Sequence, residues 1–188
     1  MHLLQGLSPF PPALETERLI LRPLRMRDAQ DMFAYAQDSE VSRHVLWAAH
    51  RHIGETRRFL RTAIRQYHRG FPGSLAIEWK ASGRMIGTVG FMWINGEYRS
   101  AEVGYSLSRD YWNRGIMTEA LRAVVAYGFD SLNLNRIEAQ HDCDNPASGR
   151  VMEHVGMRYE GTLRKRLRNK GRFVDVKLYA ILRDDPRL

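Results

Sequence analysis

One mixed α/β sheet with helices on both faces is predicted by three observations. Apolar residues alternate with polar ones in short stretches from one end of the chain to the other. Stretches with helical spacing are interspersed among them. The middle third is a meander of strands joined by tight turns, which no purely parallel β-α alternation would give.

The elements follow in order. Arg18 to Leu24 (RLILRPL) alternates and reads as a first strand. Arg27 to Gln37 places Ala29, Met32, Phe33 and Ala36 on one helical face. The segment ETRRFLRTAIRQYHRG carries a stripe of Phe59, Leu60, Ala63, Ile64 and Tyr67, opposes it with arginines, and stops at Gly70. Three strands come next: Ser74 to Lys80, Arg84 to Ile94 and Tyr98 to Leu107, with tight turns at Ser82-Gly83 and Asn95-Gly96. The second of these is apolar on both faces and should be central. Thr118 to Phe129 is an apolar helix, Arg136 to His141 a strand, and Pro146 to Val155 a helix closed by Gly156. Strands Arg158 to Arg168 and Phe173 to Leu182 complete the chain, turning at Asn169-Lys170-Gly171. No repeat or Gly/Ser linker interrupts it, so residues 14–185 read as one domain preceded by an arm, 1–13, containing Pro9, Pro11 and Pro12.

The 188 residues, 44% hydrophobic and 27% charged, suit a globular domain with a full core. No run of 18 apolar residues predicts a spanning helix, so no membrane partner is expected. The first 14 residues do not read as a secretory signal. A single cysteine, Cys143, leaves no internal disulfide and no cysteine-based metal site, and a reducing, cytoplasmic setting is expected. Net charge is +8, from 29 basic and 21 acidic residues, with lysine only at positions 80, 165, 170 and 177. Such a chain attracts polyanions, whether nucleic acid, a ribosome or a phosphorylated cofactor; a compositional preference for arginine explains it equally well.

The chemistry concentrates in AEVGYSLSRDYWNRGIMTEALRAVVAYGF, residues 101–129. A strand runs through a short loop and Gly115 into a helix. A helix start offers unpaired amide N–H groups and the positive end of the dipole, which together bind phosphate. Gly115 permits close approach of an anion, and Asn113 and Arg114 add polar and positive groups, so a diphosphate fits. The dinucleotide fingerprint requires three glycines after a parallel strand, and the nucleoside-triphosphate loop requires Gly-Lys-Ser/Thr. Neither is present.

This stretch resembles the GCN5-related N-acetyltransferases (GNAT), and within them the branch that acetylates ribosomal-protein N-termini. The family's cofactor motif, Q/R-x-x-G-x-G/A, aligns with Trp112-Asn113-Arg114-Gly115-Ile116-Met117. LETERLILRPL (14–24) and NPASGRVMEHVGM (145–157) are also similar to that branch, so the likeness spans about residues 14–183. Trp112 stands where the family has Gln or Arg, and Met117 where it has a second small residue, so the Met117 side chain must point away from the phosphates.

The resemblance implies acetyl transfer from acetyl-CoA to an amine, with no metal. It implies that the cofactor's pantetheine arm lies between two splayed strands, here Glu102–Leu107 and Arg136–His141, against backbone groups near Leu107 and Arg109. Asn113, Arg114, Gly115, Ile116, Met117 and Thr118 would hold the diphosphate, and an amide near Leu107 would stabilise the oxyanion. Direct attack requires no enzyme nucleophile, and Cys143 reads as packing. Glu102 is the candidate base, through water; its other reading is a strand carboxylate paired with a cross-strand arginine. Asn145 is accounted for as a helix N-cap before Pro146, and the family adds a contact with the pantetheine. Ser148 would face the cofactor sulfur and protonate the thiolate. Met152 occupies the position where another branch carries a tyrosine acid.

An α-amine, with a pKa near 7.7–8.0, is roughly a tenth neutral at pH 7, against well under ~0.1% for lysine. A protein N-terminus is therefore the expected acceptor, and a polyamine or aminoglycoside is the rival. The segment from Met26 to Arg69, which borders the acceptor site in this family, is basic overall and disfavours a cationic acceptor. A CoA-binding or ribosome-associated module without turnover is the non-enzymatic alternative. His44, His50 and His52 lack the spacing of metal ligands on one helix and read as a solvated or cleft loop. Arg164 to Arg172 holds six basic residues in a hairpin. It reads as a charged sheet edge that discourages aggregation, or as a contact with rRNA or an acidic substrate. Monomer and homodimer are equally compatible with the sequence.

Overall fold

The computed structural model describes residues 11–186. Most of the expected N-terminal arm, residues 1–10, lies outside the described residues. The elements are β1 (Leu14–Glu15), β2 (Leu19–Pro23), α1 (Ala29–Ala36), α2 (Ser39–Ser42), α3 (Ile53–His68), β3 (Ser74–Trp79), β4 (Arg84–Asn95), β5 (Ser100–Leu107), α4 (Ile116–Asp130), β6 (Arg136–Asp142), α5 (Pro146–His154), β7 (Arg158–Asn169) and β8 (Arg172–Leu182). The eight strands form one mixed sheet in the order β1-β2-β3-β4-β5-β6-β8-β7. Every neighbouring pair is antiparallel except β5 with β6.

The two cores lie on opposite faces of this sheet. On one face α4 inserts Leu121, Val124 and Phe129 among Val89, Phe91 and Ile137. On the other, α1 and α3 bury Met32, Ala36, Leu60 and Tyr67 against Ala76 and Met85. Each such large side chain contributes about 1.5–3 kcal/mol of apolar burial. The Tyr67 hydroxyl accepts from the Leu24 amide and donates to the Ser74 carbonyl, which satisfies its polar end inside the core. Arg22 is also buried and holds both carboxylate oxygens of Asp28, at 2.9 and 2.8 Å, and Glu78 at 2.5 Å.

The observed helix faces differ from the periodicity in two places. On α3 the buried stripe is Thr56, Leu60, Ala63 and Tyr67, with Phe59 at 38% exposure. Thr56 replaces Phe59 because its hydroxyl pairs with His50 Nδ1 at 2.8 Å, which lets a polar residue enter the core. On α1 Tyr35 is buried and Phe33 only half so. The turn after β4 also differs: Asn95 pairs with Ser100 across a four-residue loop, so β5 begins at Ser100 rather than Tyr98. The Asn95 carboxamide accepts from the Tyr98 amide at 3.0 Å, and the positive φ falls on Arg99 (49°), not on the glycine.

Among the described residues, no helix is long and apolar enough to cross a membrane.

Candidate active site

The sheet opens where its one parallel pair comes apart. β5 and β6 are paired only from Ser100–Glu102 to Arg136–Glu138. Beyond that point β5 stays with β4 as far as Leu107, and β6 stays with β8 as far as Asp142. Their facing edges therefore carry unpaired backbone groups, as an open sheet edge does. In an antiparallel ladder alternate residues turn their N–H and C=O outward. Ser108 donates to Ile86 across the ladder at 2.8 Å, which places the groups of Leu107, two positions from Tyr105, on the fork side.

The far end of β5 leads through Arg109–Tyr111 into the start of α4. Asn113 (φ 57°) and Gly115 (φ 70°, ψ 3°) are both left-handed, which folds the loop over the helix N-terminus. Among the described residues no backbone hydrogen bond uses the amides of residues 113–118, so they form a cluster of donors at the positive end of a 15-residue helix. The Met117 side chain turns into the core, as does that of Ile116. Thr118 is half-buried and lines an open groove of about 720 Å³ with Thr16, Arg18, Gly115, Glu119 and Arg122.

Arg18 braces this loop from β2's side. Its guanidinium donates to the Arg114 carbonyl at 2.9 Å and to Glu119 Oε2 at 2.6 Å, while its amide and the Thr16 hydroxyl donate to Glu119 Oε1 at 2.9 and 2.6 Å. Burial works to raise the Glu119 carboxyl, but these donors outweigh it and hold the group below its ordinary value. Trp112 is a second brace, its indole N–H donating to the Leu107 carbonyl at 2.9 Å. The Leu107 carbonyl thus already accepts one hydrogen bond, while among the described residues no backbone partner uses its N–H, which faces the fork. The Arg114 guanidinium lies over the Tyr111 ring, and the Arg109 side chain pairs with Asp38 at 3.2 Å.

Glu102 sits at the apex, the last residue before the fork opens. Its carboxylate accepts from the Trp93 indole at 2.8 Å and from the Gln140 side-chain amide at 2.9 Å. Among the described residues no arginine pairs with it. A bulge in β4 between Phe91 and Trp93 brings Trp93 opposite Glu102. Across the fork, Asn145 caps α5, its side chain accepting from the Ser148 amide at 3.4 Å. The Ser148 hydroxyl lies 2.8 Å from the Tyr105 hydroxyl of β5. Cys143 is half-buried with its thiol raised, chiefly by burial and also by Asp175, so it stays protonated and weakly nucleophilic.

The segment from Asp38 through α2 to His44 crosses the open end of the fork. On the β5 side Asp38 meets Arg109; on the β6 side His44 Nδ1 lies 3.4 Å from Asp142. Lys170, at the β7–β8 turn, donates to the carbonyls of Ser42 and Val45 at 2.7 and 2.9 Å. Its hairpin neighbours Arg164, Lys165 and Arg166 form an exposed bulge on β7, the edge strand. His50 and His52 have partners of their own, Thr56 and Glu55.

The family model of the GNAT acetyltransferase domain matches residues 18–158. The chain belongs to the GNAT family. An uncharacterised N-acetyltransferase of Bacillus licheniformis, p20, is 34% identical over 170 residues, covering 90% of this chain and 96% of the relative. The [ribosomal protein uS5]-alanine N-acetyltransferase of Escherichia coli is 25% identical over 188 residues, covering 92% and 91%. The crystal structure of a GNAT acetyltransferase from Bacillus anthracis superposes with a TM-score of 0.84 at 28% identity, covering 93% of this chain and all of that one.

This GNAT protein is an acetyl-CoA-dependent N-acetyltransferase, and its residues fit that cosubstrate. The clustered amides of residues 113–118 suit a diphosphate, with Gly115 leaving room for it. The unpaired edges of β5 and β6 suit an extended amide-bearing arm. Bound there, acetyl-CoA supplies an activated thioester. Arg18, Glu119, Trp93, Gln140 and Tyr105 are the site residues that the motif alone did not reveal; Trp112 is its first position, but its brace on Leu107 was not foreseen. Arg18 and Trp112 do fall within the family-like segments, while Tyr105 is marked only by its place on the strand.

Proposed function

We propose that the acceptor is the α-amine of a protein N-terminus, a ribosomal protein foremost. The observation that carries this is the setting of Glu102. Its carboxylate is held at the apex by two neutral donors, and among the described residues no cation pairs with it, so both oxygens stay directed at the mouth of the fork. A carboxylate is a weak base, and it serves best where the amine is already partly neutral at pH 7, as an α-amine is and a lysine is not.

In this reading Glu102 takes the amine proton through a water, and the Leu107 N–H donates to the developing oxyanion. The Ser148 hydroxyl donates toward the departing thiolate, and Asn145 holds the start of α5 in place. No enzyme nucleophile is required. The E. coli relative acts on a ribosomal-protein alanine by its name, which supports the acceptor class. The basic edge of β7 offers complementary charge to rRNA near such a substrate, and a cytoplasmic setting accords with it.

The test is release of CoA thiol with three sets of acceptors: peptides bearing free N-termini of ribosomal proteins, polyamines and aminoglycosides. Labelling of a cell extract with radioactive acetyl-CoA runs beside it. Turnover confined to N-terminal peptides, with label on protein N-termini, is expected. Turnover confined to the polyamines or aminoglycosides overturns the acceptor assignment.

A further inference from the structure

Among the described residues, Tyr105 is the one polar side chain whose hydrogen bonds reach from β5 across the open fork to α5. It lies on the strand face shared by the core residues Val103 and Leu107, yet its hydroxyl makes two contacts with a single residue. It donates to the Ser148 carbonyl at 3.1 Å and lies 2.8 Å from Ser148 Oγ. Ser148 is the third residue of α5, within the turn whose free N–H groups favour negative charge nearby.

A phenol has one proton to give, and two oxygens of Ser148 compete for it. When the proton points to the carbonyl, Ser148 must spend its own hydroxyl hydrogen on Tyr105. When it points to Oγ, the Ser148 hydrogen is released for a third partner in the fork. We propose that Tyr105 is a positioning residue that aims the Ser148 hydroxyl hydrogen at the sulfur of the departing thiolate. No proton changes owner: the phenol donates to Oγ, Oγ donates to sulfur, and the chain of two hydrogen bonds spreads the leaving group's charge. Burial raises the Tyr105 phenol well above its ordinary value, which keeps it a donor throughout the working pH range. This inference rests on the placement of Ser148 by the thioester given above.

The test is a double-mutant cycle of Tyr105→Phe and Ser148→Ala, read as kcat and as acetyl-CoA affinity by calorimetry. The acceptor is whichever peptide turns over, or hydroxylamine, neutral at pH 7, if none does. A lost hydrogen bond of about 1–1.5 kcal/mol predicts kcat lower by roughly 10-fold in each single variant. Because both act through one hydroxyl, the double variant should lose no more than either alone. Acetyl-CoA affinity should stay within twofold. Losses that multiply, or a several-fold weaker affinity in Tyr105→Phe, would show that the phenol only clasps the fork. Full activity in Ser148→Ala with a loss in Tyr105→Phe removes the Ser148 role itself while leaving acetyl transfer intact. A crystal structure with CoA decides independently of turnover: Ser148 Oγ should lie between Tyr105 Oη and the sulfur, and an Oγ turned from either one overturns the inference.

Discussion

Replacing Gly115 with alanine tests the phosphate loop, because the structure separates two effects of the new methyl group. Gly115 is left-handed at φ 70°, and a Cβ there would meet only Arg18 Nη2, at 3.7 Å. The fold has room for it, so the stability loss is the backbone strain of an L-residue, about 1 kcal/mol. For a chain of this size that lowers Tm by roughly 2–4 °C. The methyl group would, however, stand in the space through which a diphosphate approaches the amides. Losing one charge-assisted hydrogen bond, about 1.5–3 kcal/mol, weakens acetyl-CoA binding by roughly 10- to 150-fold. Gly70 provides the control. It has a similar φ of 77°, nothing within 4 Å of a Cβ, and a place at the end of α3 away from the fork. Gly70→Ala should show the same thermal shift with unchanged affinity. Calorimetry with acetyl-CoA and a thermal melt on both variants decide the matter. Equal acetyl-CoA affinity in Gly115→Ala and the parent protein would refute the placement of the diphosphate.

Three further outcomes are expected. Glu102→Gln should lower kcat at neutral pH and recover part of it at higher pH, where the amine loses its proton unaided; a pH–rate profile that parallels the parent's would remove Glu102 as base. Asp28→Ala strands the buried Arg22 guanidinium with one partner fewer, and chemical denaturation should show a loss of about 3 kcal/mol or more. Glu119 has a lowered carboxyl, so its contribution is fully present above the ordinary carboxylate range and is lost as pH falls through the lowered value. The acid limb of the stability curve should accordingly flatten in Glu119→Gln, and an unchanged limb would count against that linkage.

The long elements were legible because their signals are local. The stripe Leu60-Ala63-Tyr67 and the two-sided apolar run of β4 carry their burial in their own spacing. β1, with two residues, and α2, with four, are too short to show any period, and both exist through partners elsewhere in the chain. The fork was anticipated from the family likeness, but its apex at Glu102 depends on where a three-residue pairing ends. The bulge beside Met92 that sets Trp93 opposite Glu102 left no mark in composition. Arg18 and Glu119 are 101 positions apart, and Tyr105 and Ser148 are 43 apart. Such contacts arise only once the sheet has assembled.

The Lys170 ammonium has a consequence for how the two halves of the sheet behave. In the sheet itself, strands β1–β5 and β6–β8 are hydrogen-bonded through three paired residues at one end, with the shared core of α4 packed across that seam. The strap across the opposite end, pinned by one ammonium to three carbonyls, ties the open end as well, so the sheet is a frame held at both ends. The opening is then held by the folded protein before any ligand arrives, and an incoming thioester arm meets a mouth braced in advance, with less ordering left for binding to do.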